Sequence, residues 1–228
     1  MRTPNLNRMV KILENTSNIL LRDFVEIENL QNNHNAAAKF TNAAHQKVSE
    51  IIVNEFSINA DIELVSGKKL SEHPDNKEFY IICPIEAMVN FSRSIPIFSS
   101  FISYGEINAD GEKEVLESAM ILPTSNQIFT CAKNLALFCN NRRVKISSKD
   151  NSLIAIDNIK FANLCSDQDI RISGSVSDDI AKFILGKIDQ VIFSNKNLKD
   201  ALKLYILESG AIIEEKDSDP LKDMVLTK

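Results

Sequence analysis

Leu6, Met9, Val10, Ile12, Leu13, Ile19, Leu20 and Phe24 recur at three- and four-residue intervals, which predicts a long amphipathic helix over about residues 5 to 25. Residues 26–39 are polar, Asn-rich and end in three alanines, and read as a mobile loop. A second helix follows, with Phe40, Ala44, Val48, Ile51, Ile52 and Phe56 on its apolar side. Residues 62–77 are polar and poorly periodic, and no element is predicted there. Phe79-Tyr80-Ile81-Ile82 is an apolar run that reads as a buried strand over 79–83. The alternating stretch 97–104 predicts another strand, and Asn108-Ala109-Asp110-Gly111 a hairpin turn, because Asp-Gly supplies the positive φ angles such turns require. Further strands are predicted near 115–122, 127–132, 135–139, 143–147 and 153–156.

From there the pattern alternates. Ile170-Arg171-Ile172 leads through Ser173-Gly174-Ser175 into a helix at about 176–186, a strand at 188–193, a helix from Asn197 to Ser209 and a strand at 211–214. Ser175 and Asn197 are the expected helix N-caps, since a short side-chain oxygen accepts a free first-turn N–H. The expected fold class is α/β. Residues 1–150 should form an α+β part with two long helices and a mainly antiparallel sheet, and residues 151–228 a smaller α/β part. The acidic tail from Glu214 reads as a solvated terminus.

Composition narrows the function classes. At 228 residues with 44% hydrophobic and 25% charged residues, the chain can bury an independent core. A net charge of −5 argues against nucleic-acid or anionic-membrane binding driven by charge alone. The basic cluster Asn140-Asn141-Arg142-Arg143-Val144-Lys145 reads as a solvated turn before a strand rather than an RNA surface. No apolar run reaches the ~20 residues of a membrane helix, and the N-terminus lacks a signal-peptide core, so a cytoplasmic protein is expected. Cys83, Cys131, Cys139 and Cys165 show no zinc spacing; buried free thiols are expected at Cys131 and Cys139. His34, His45 and His73 have no partner acid or nucleophile at readable spacing and read as loop or surface histidines.

The stretch that carries chemical information is Cys83-Pro84-Ile85-Glu86-Ala87-Met88-Val89-Asn90-Phe91. It resembles the signature of the inositol monophosphatase family, Asp-Pro-x-Asp-Gly-Thr-Thr/Ser-Asn-Phe after a strand. Pro84, Asn90 and Phe91 match, and Glu86 is a near match. Cys83 stands at the first metal-ligating Asp, and Ala87, Met88 and Val89 stand at the Gly and hydroxyl residues that cradle phosphate. Other segments are similar in the same order. Thr41 to Val48 resembles the family's Val-Thr-x-x-Asp motif, with Ala44 at the metal-binding Asp. Leu64-Val65-Ser66-Gly67 falls at Glu-Glu-Ser-Gly. Phe129-Thr130-Cys131-Ala132 is similar to Phe-Thr-Ala. Ser173-Gly174-Ser175 through Ala181 resembles Thr-Gly-Ser-Ala-Ala-Leu-Asp-Leu-Ala of the bacterial extragenic-suppressor (SuhB-like) branch, and Gly186-Lys187-Ile188-Asp189 resembles Gly-Arg-Val-Asp. The last family ligand sits in a Trp-Asp pair opening a helix. Counting from Gly186 places that pair on Lys199-Asp200, and counting back from Glu208-Ser209-Gly210 places it on Asn197-Leu198, so Asp200 is a surviving ligand in one register only. The chain also stops soon after Gly210-Ala211-Ile212-Ile213, where the family continues through a further strand and a final helix; its second part is expected to be truncated.

The resemblance implies the layered α-β-α-β-α sugar-phosphatase fold and a Mg²⁺-dependent phosphate-ester hydrolysis. It also implies that this chain has lost the means for it. Magnesium demands oxygen ligands in near-octahedral geometry. Cys83 is a soft replacement, Ala44, Leu64 and Val65 offer no donor, and Cys83, Ile85 and Glu86 become vestigial metal positions. Ala87, Met88, Val89, Gly174 and Ser175 become a vestigial substrate seat, and a lone Glu86 reads as a surface or helix-start charge. The expectation is therefore a pseudoenzyme with no cofactor, a homodimer like its family, acting as a binding or regulatory protein. The transcription machinery is the partner implied by the extragenic-suppressor branch. The alternatives are a Mg²⁺-dependent inositol- or sugar-phosphate monoesterase with a remodelled site, and a subunit that modulates an active paralogue.

Overall fold

A computed structural model describes residues 2–56, 60–73, 76–146, 153–164, 168–216 and 223–227. Helix α1 (Pro4–Glu28) opens with proline in its first turn and the Thr3 hydroxyl accepting the Leu6 N–H at 3.0 Å. Its Leu6, Met9, Val10, Leu13 and Leu20 stripe is buried. Helix α2 is longer than its apolar periodicity suggested, running His34–Phe56. The expected loop over 26–39 shrinks to residues 29–33, because the Asn33 side chain accepts the Ala36 N–H and the alanines behind it are strong helix formers.

The larger sheet has eight strands in the order β2-β1-β3-β4-β5-β6-β7-β8. They are β1 (Asp61–Leu64), β2 (Lys69–Ser71), β3 (Glu78–Glu86), β4 (Ser99–Ile107), β5 (Lys113–Leu122), β6 (Gln127–Ala132), β7 (Ala136–Cys139) and β8 (Arg142–Val144). Neighbours are antiparallel except β1 and β3, which run parallel. Strands β1 and β2 fall largely within the polar, poorly periodic stretch 62–77. What orders them is pairing with distant β3, and local periodicity carries no trace of that.

Alternation along β3 builds two cores at once. Tyr80 and Ile82 face α1 and α2, while Phe79, Ile81 and Cys83 face the opposite side. On that side lie α4 (Val176–Ile184) and α5 (Lys196–Ser209), sandwiched against a second sheet. Its order is β10-β9-β11-β13-β12, from β9 (Leu153–Ile156), β10 (Asp169–Arg171), β11 (Gln190–Phe193), β12 (Ile212–Lys216) and β13 (Asp223–Thr227). Beyond it, Ile154, Ile156 and Ile192 pack on Phe161 in a 3₁₀ helix, Ile159–Leu164. The layers thus run α, β, α, β and a final short helix, an α/β arrangement.

The second sheet corrects two expectations. Strand β13 follows β12 and inserts between it and β11, so the chain does continue through a further strand. Glu214, Glu215 and Lys216 accordingly belong to β12 rather than to a free tail. The N-cap of α5 is Asn195, whose side chain accepts the Asn197 and Leu198 N–H groups, not Asn197. Ser175 caps α4 as expected, accepting the Asp178 N–H. Of the cysteines, Cys83 and Cys131 are buried free thiols and Cys139 is half-buried; Cys165 lies outside the described residues.

Candidate functional site

The site is assembled where β3 ends. Cys83 pairs with Phe101, but Glu86 pairs with Ser99, so β3 carries one more residue than β4 across this interval. The surplus is a β-bulge at Pro84-Ile85, and proline tolerates it because no ladder N–H is required of it there. Strict alternation would send residue 85 to the same face as Cys83. The bulge instead turns Ile85 toward the α1–α2 core and swings Glu86 across to α4.

Glu86 is therefore not the surface charge its isolation suggested; only 7% of it is exposed. One carboxylate oxygen accepts the Ser175 hydroxyl and the other the Val176 N–H at 3.1 Å. These donors are the N-cap and first residue of α4, whose unpaired N–H groups and dipole favour a negative charge. Burial nevertheless dominates and raises the Glu86 carboxyl to about 7, with the two hydrogen bonds opposing and nearby Asp179 and Asp178 adding to the rise.

Around this contact lies a charged cluster. Arg171 donates to Asp178 at 2.9 Å and to Asp179 at 3.1 Å, Lys182 pairs with Asp178, and the Ser173 hydroxyl donates to Asp179 at 2.6 Å. Burial lifts Asp179 to about 6 against the pull of Ser173 and Arg171. Ser173, Asp178 and Asp179 lie in a stretch matched to a family motif, but neither they nor Arg171 were given a role from the sequence. The signal available was Ser175-Val176-Ser177-Asp178, the Ser-x-x-acid pattern of a helix start.

The turn after Glu86 keeps its backbone shape without its glycine. Ala87 sits at φ 64°, ψ 49°, a left-handed conformation that costs a residue with a Cβ about 1–2 kcal/mol. It leads into the five-residue helix α3 (Met88–Ser92), where Val89 is 73% exposed. Asn90 and Phe91 are buried and structural. The Asn90 amide donates to the carbonyls of Ile97 and Ser173, at 2.8 and 2.9 Å, tying this turn to the loop before α4. Gly174 must be glycine: its φ is +76°, and a Cβ there would lie 3.0 Å from the Asn90 side-chain oxygen. Phe91 meets Phe98 edge-on at 4.9 Å and Phe24 at 5.7 Å.

The remaining positions matched to the family's ligands are apolar or elsewhere. Ala44 is buried in the α1–α2 core, with Leu64 packed against its edge. Cys83 is buried among Phe101, Met120 and Phe129, where loss of solvent pushes its thiol well above the ordinary range. Val65 packs on that same apolar cluster. Leu198, in the first turn of α5, is buried there too, whereas Asp200 is exposed and lines a cavity of about 620 Å³ with Leu64, Val65 and Lys203. The structure thus joins Glu86, Ser175 and Gly174 to one locus and leaves Asp200 outside it.

Magnesium does not fit this donor set. A buried, protonated thiol, three hydrocarbon side chains and a carboxylate already held by a helix terminus supply no octahedron of oxygens. Among the described residues, no three His, Cys, Asp or Glu side chains stand close enough to share one metal ion.

Comparison with known proteins defines the class. No protein-family profile matches the chain. It is 22% identical over 240 residues to an inositol-1-monophosphatase of Mesorhizobium japonicum, covering 95% of this chain and 87% of that protein. A second inositol-1-monophosphatase, from Rhizobium meliloti, is 24% identical over 150 residues, 65% of this chain and 54% of the relative. Among solved structures, the extragenic suppressor protein suhB from Bartonella henselae superposes with a TM-score of 0.81 at 20% identity, covering 99% of this chain and 94% of that one. An inositol monophosphatase from Anabaena gives 0.74 at 20% identity, with 97% and 89% covered. The fold is the layered α/β fold of these inositol monophosphatase structures. In sequence and in fold the chain is similar to inositol monophosphatases. Among the described residues, no helix is long and apolar enough to cross a membrane.

Proposed function

We propose that this chain is a catalytically inactive member of the inositol monophosphatase family, acting in the cytoplasm as a binding or regulatory protein, as a homodimer. The transcription machinery and an active paralogue are the partner classes the family resemblance suggests. One observation supports the inactive reading above the rest. Glu86 is the one carboxylate left at the ancestral turn, and both of its oxygens are engaged by the N-terminus of α4. In this reading the protein's own carboxylate has taken the place of an exogenous anion. It locks β3 to the second half of the molecule and leaves no free carboxylate at this turn to hold a metal. Phosphate-ester hydrolysis on two metal ions needs carboxylates that bridge and position them, and side chains such as Ala44, Leu64 and Val65 cannot do so.

The exposed, bulky Val89 supports the same reading for the substrate, because it stands where an anion would need close access to backbone N–H groups. Titration with Mn²⁺, followed by water-proton relaxation, tests it. No saturable site is expected at millimolar metal. A tight site that disappears in Glu86→Gln would restore the enzyme reading.

A further inference from the structure

A second locus, on the α5 side of the larger sheet, has the makings of a binding groove. The turn 133–136, the β7–β8 hairpin and the C-terminal end of α5 enclose a depression of about 450 Å³. Leu135 and Leu207 on its lip are 56% and 52% exposed, a cost in solvation that two neighbouring aliphatic side chains recover when something covers them. Arg143 and Lys145 line the same depression, are exposed, and make no ion pair among the described residues. Among the described residues that line it, the one carboxylate, Glu208, is already committed. Its two oxygens accept the backbone N–H groups of Asn134 and Ala136, at 2.8 and 3.2 Å, which braces the turn against α5. The local balance is positive in a chain whose net charge is −5.

The depression is not isolated. It shares Asn134, Leu207 and Glu208 with the 620 Å³ cavity, whose walls include Val65, Phe79 and Ile81. The two lie end to end along α5 from Asn197 to Gly210, with the Asn134–Glu208 contact between them, and a helix of 14 residues is about 20 Å long. An extended chain rises about 3.3 Å per residue, so about six residues would span it. That length exceeds a small metabolite and suits a peptide.

We propose that this groove binds an extended segment of a partner protein, with aliphatic side chains toward Leu207 and Leu135 and Asp or Glu carboxylates toward Arg143 and Lys145. The proposal deepens the binding function above and rests on it. The aliphatic contacts supply affinity; the two cations fix direction and reject basic sequences.

The test is selection of a random dodecapeptide display library on the immobilised full chain, with the synthesised consensus peptide then measured by fluorescence polarisation. The expected consensus combines aliphatic residues with an acidic end. The doubly reversed Arg143→Glu, Lys145→Glu chain should lose at least about tenfold in affinity and recover it for a peptide whose acids are replaced by lysine. Leu207→Ser should weaken both peptides, and unchanged circular-dichroism melting would show that each variant folds. No enrichment, a consensus without acids, or indifference to charge reversal would overturn the proposal. So would sedimentation showing a dimer that Leu207→Ser dissociates, since a second copy would then fill the groove. Phosphatase activity is read separately on the same preparation. An active chain with an acidic consensus overturns only the inactive reading, and an inactive chain without a consensus overturns only the groove.

Discussion

Replacing Glu86 with Gln keeps the shape of the side chain and removes its charge, and the structure fixes how the consequence should depend on pH. In the fold this carboxyl titrates at about 7; in the unfolded chain it titrates near 4.5. Because the folded value is raised, the stability contributed by Glu86 is fully present below 4.5 and is lost as pH climbs through 7. Between those two values the unfolded chain carries a solvated charge that the folded chain could form only by burying it. Linkage puts the loss between pH 5 and pH 8 at about 2–3 kcal/mol. Glutamine escapes it. Its carbonyl can still accept the Val176 N–H, and its amide can donate to the Ser175 hydroxyl oxygen, so the cap of α4 is retained. Asp179, raised from 3.8 to about 6, contributes a pH dependence of the same sign to both proteins and largely cancels in their difference. Urea denaturation at pH 5, 6, 7 and 8 reads the comparison. The two chains should be similar at pH 5, and the Gln variant more stable by about 2 kcal/mol at pH 8. A difference that stays flat across this range would refute a buried carboxylate held by the α4 terminus.

Three further substitutions test the neighbouring structure. Ala87→Gly relieves a left-handed alanine worth about 1–2 kcal/mol at a backbone-entropy cost of about 0.5–1, so calorimetry should show the melting temperature rising by about 1–4 °C. Gly174→Ala forces a Cβ against the Asn90 side chain at positive φ, and should lower the melting temperature by about 4–8 °C for a loss of roughly 2 kcal/mol. Cys83→Asp places a carboxyl in an apolar cluster beside Glu86. It should destabilise the chain by about 3 kcal/mol or more at pH 8, less at pH 5, with no gain of phosphatase activity.

Much of the fold was legible because its signals are local. The α1 stripe from Leu6 to Phe24, the apolar run at 79–82 and the Asp110-Gly111 turn each announce their element within a few residues. Three features were not legible, for distinct physical reasons. Strand β1 is held by β3, a partner some twenty residues away whose influence leaves no periodic trace. The direction of Glu86 depends on a single surplus residue in β3 against β4, and nothing in the sequence of β3 shows the count in β4. The Arg171–Asp178–Asp179 cluster joins an edge strand to a helix terminus, so its members look like ordinary surface charges until the turn through Gly174 brings them together. The Ser175 cap was visible; its engagement of Glu86, 89 positions away, was not.

Hydrolysis is the measurement that bears most directly on whether this chain is a scaffold. The purified full chain, freed of contaminating phosphatases by successive chromatographic steps, would be assayed for phosphate release from inositol 1-phosphate and from an aryl phosphate across a range of Mg²⁺ concentrations. No release above the protein-free background is expected at any concentration. Mg²⁺-dependent turnover that co-elutes with the chain and is abolished by Glu86→Gln would contradict the inactive reading and make the chain an enzyme with a remodelled site.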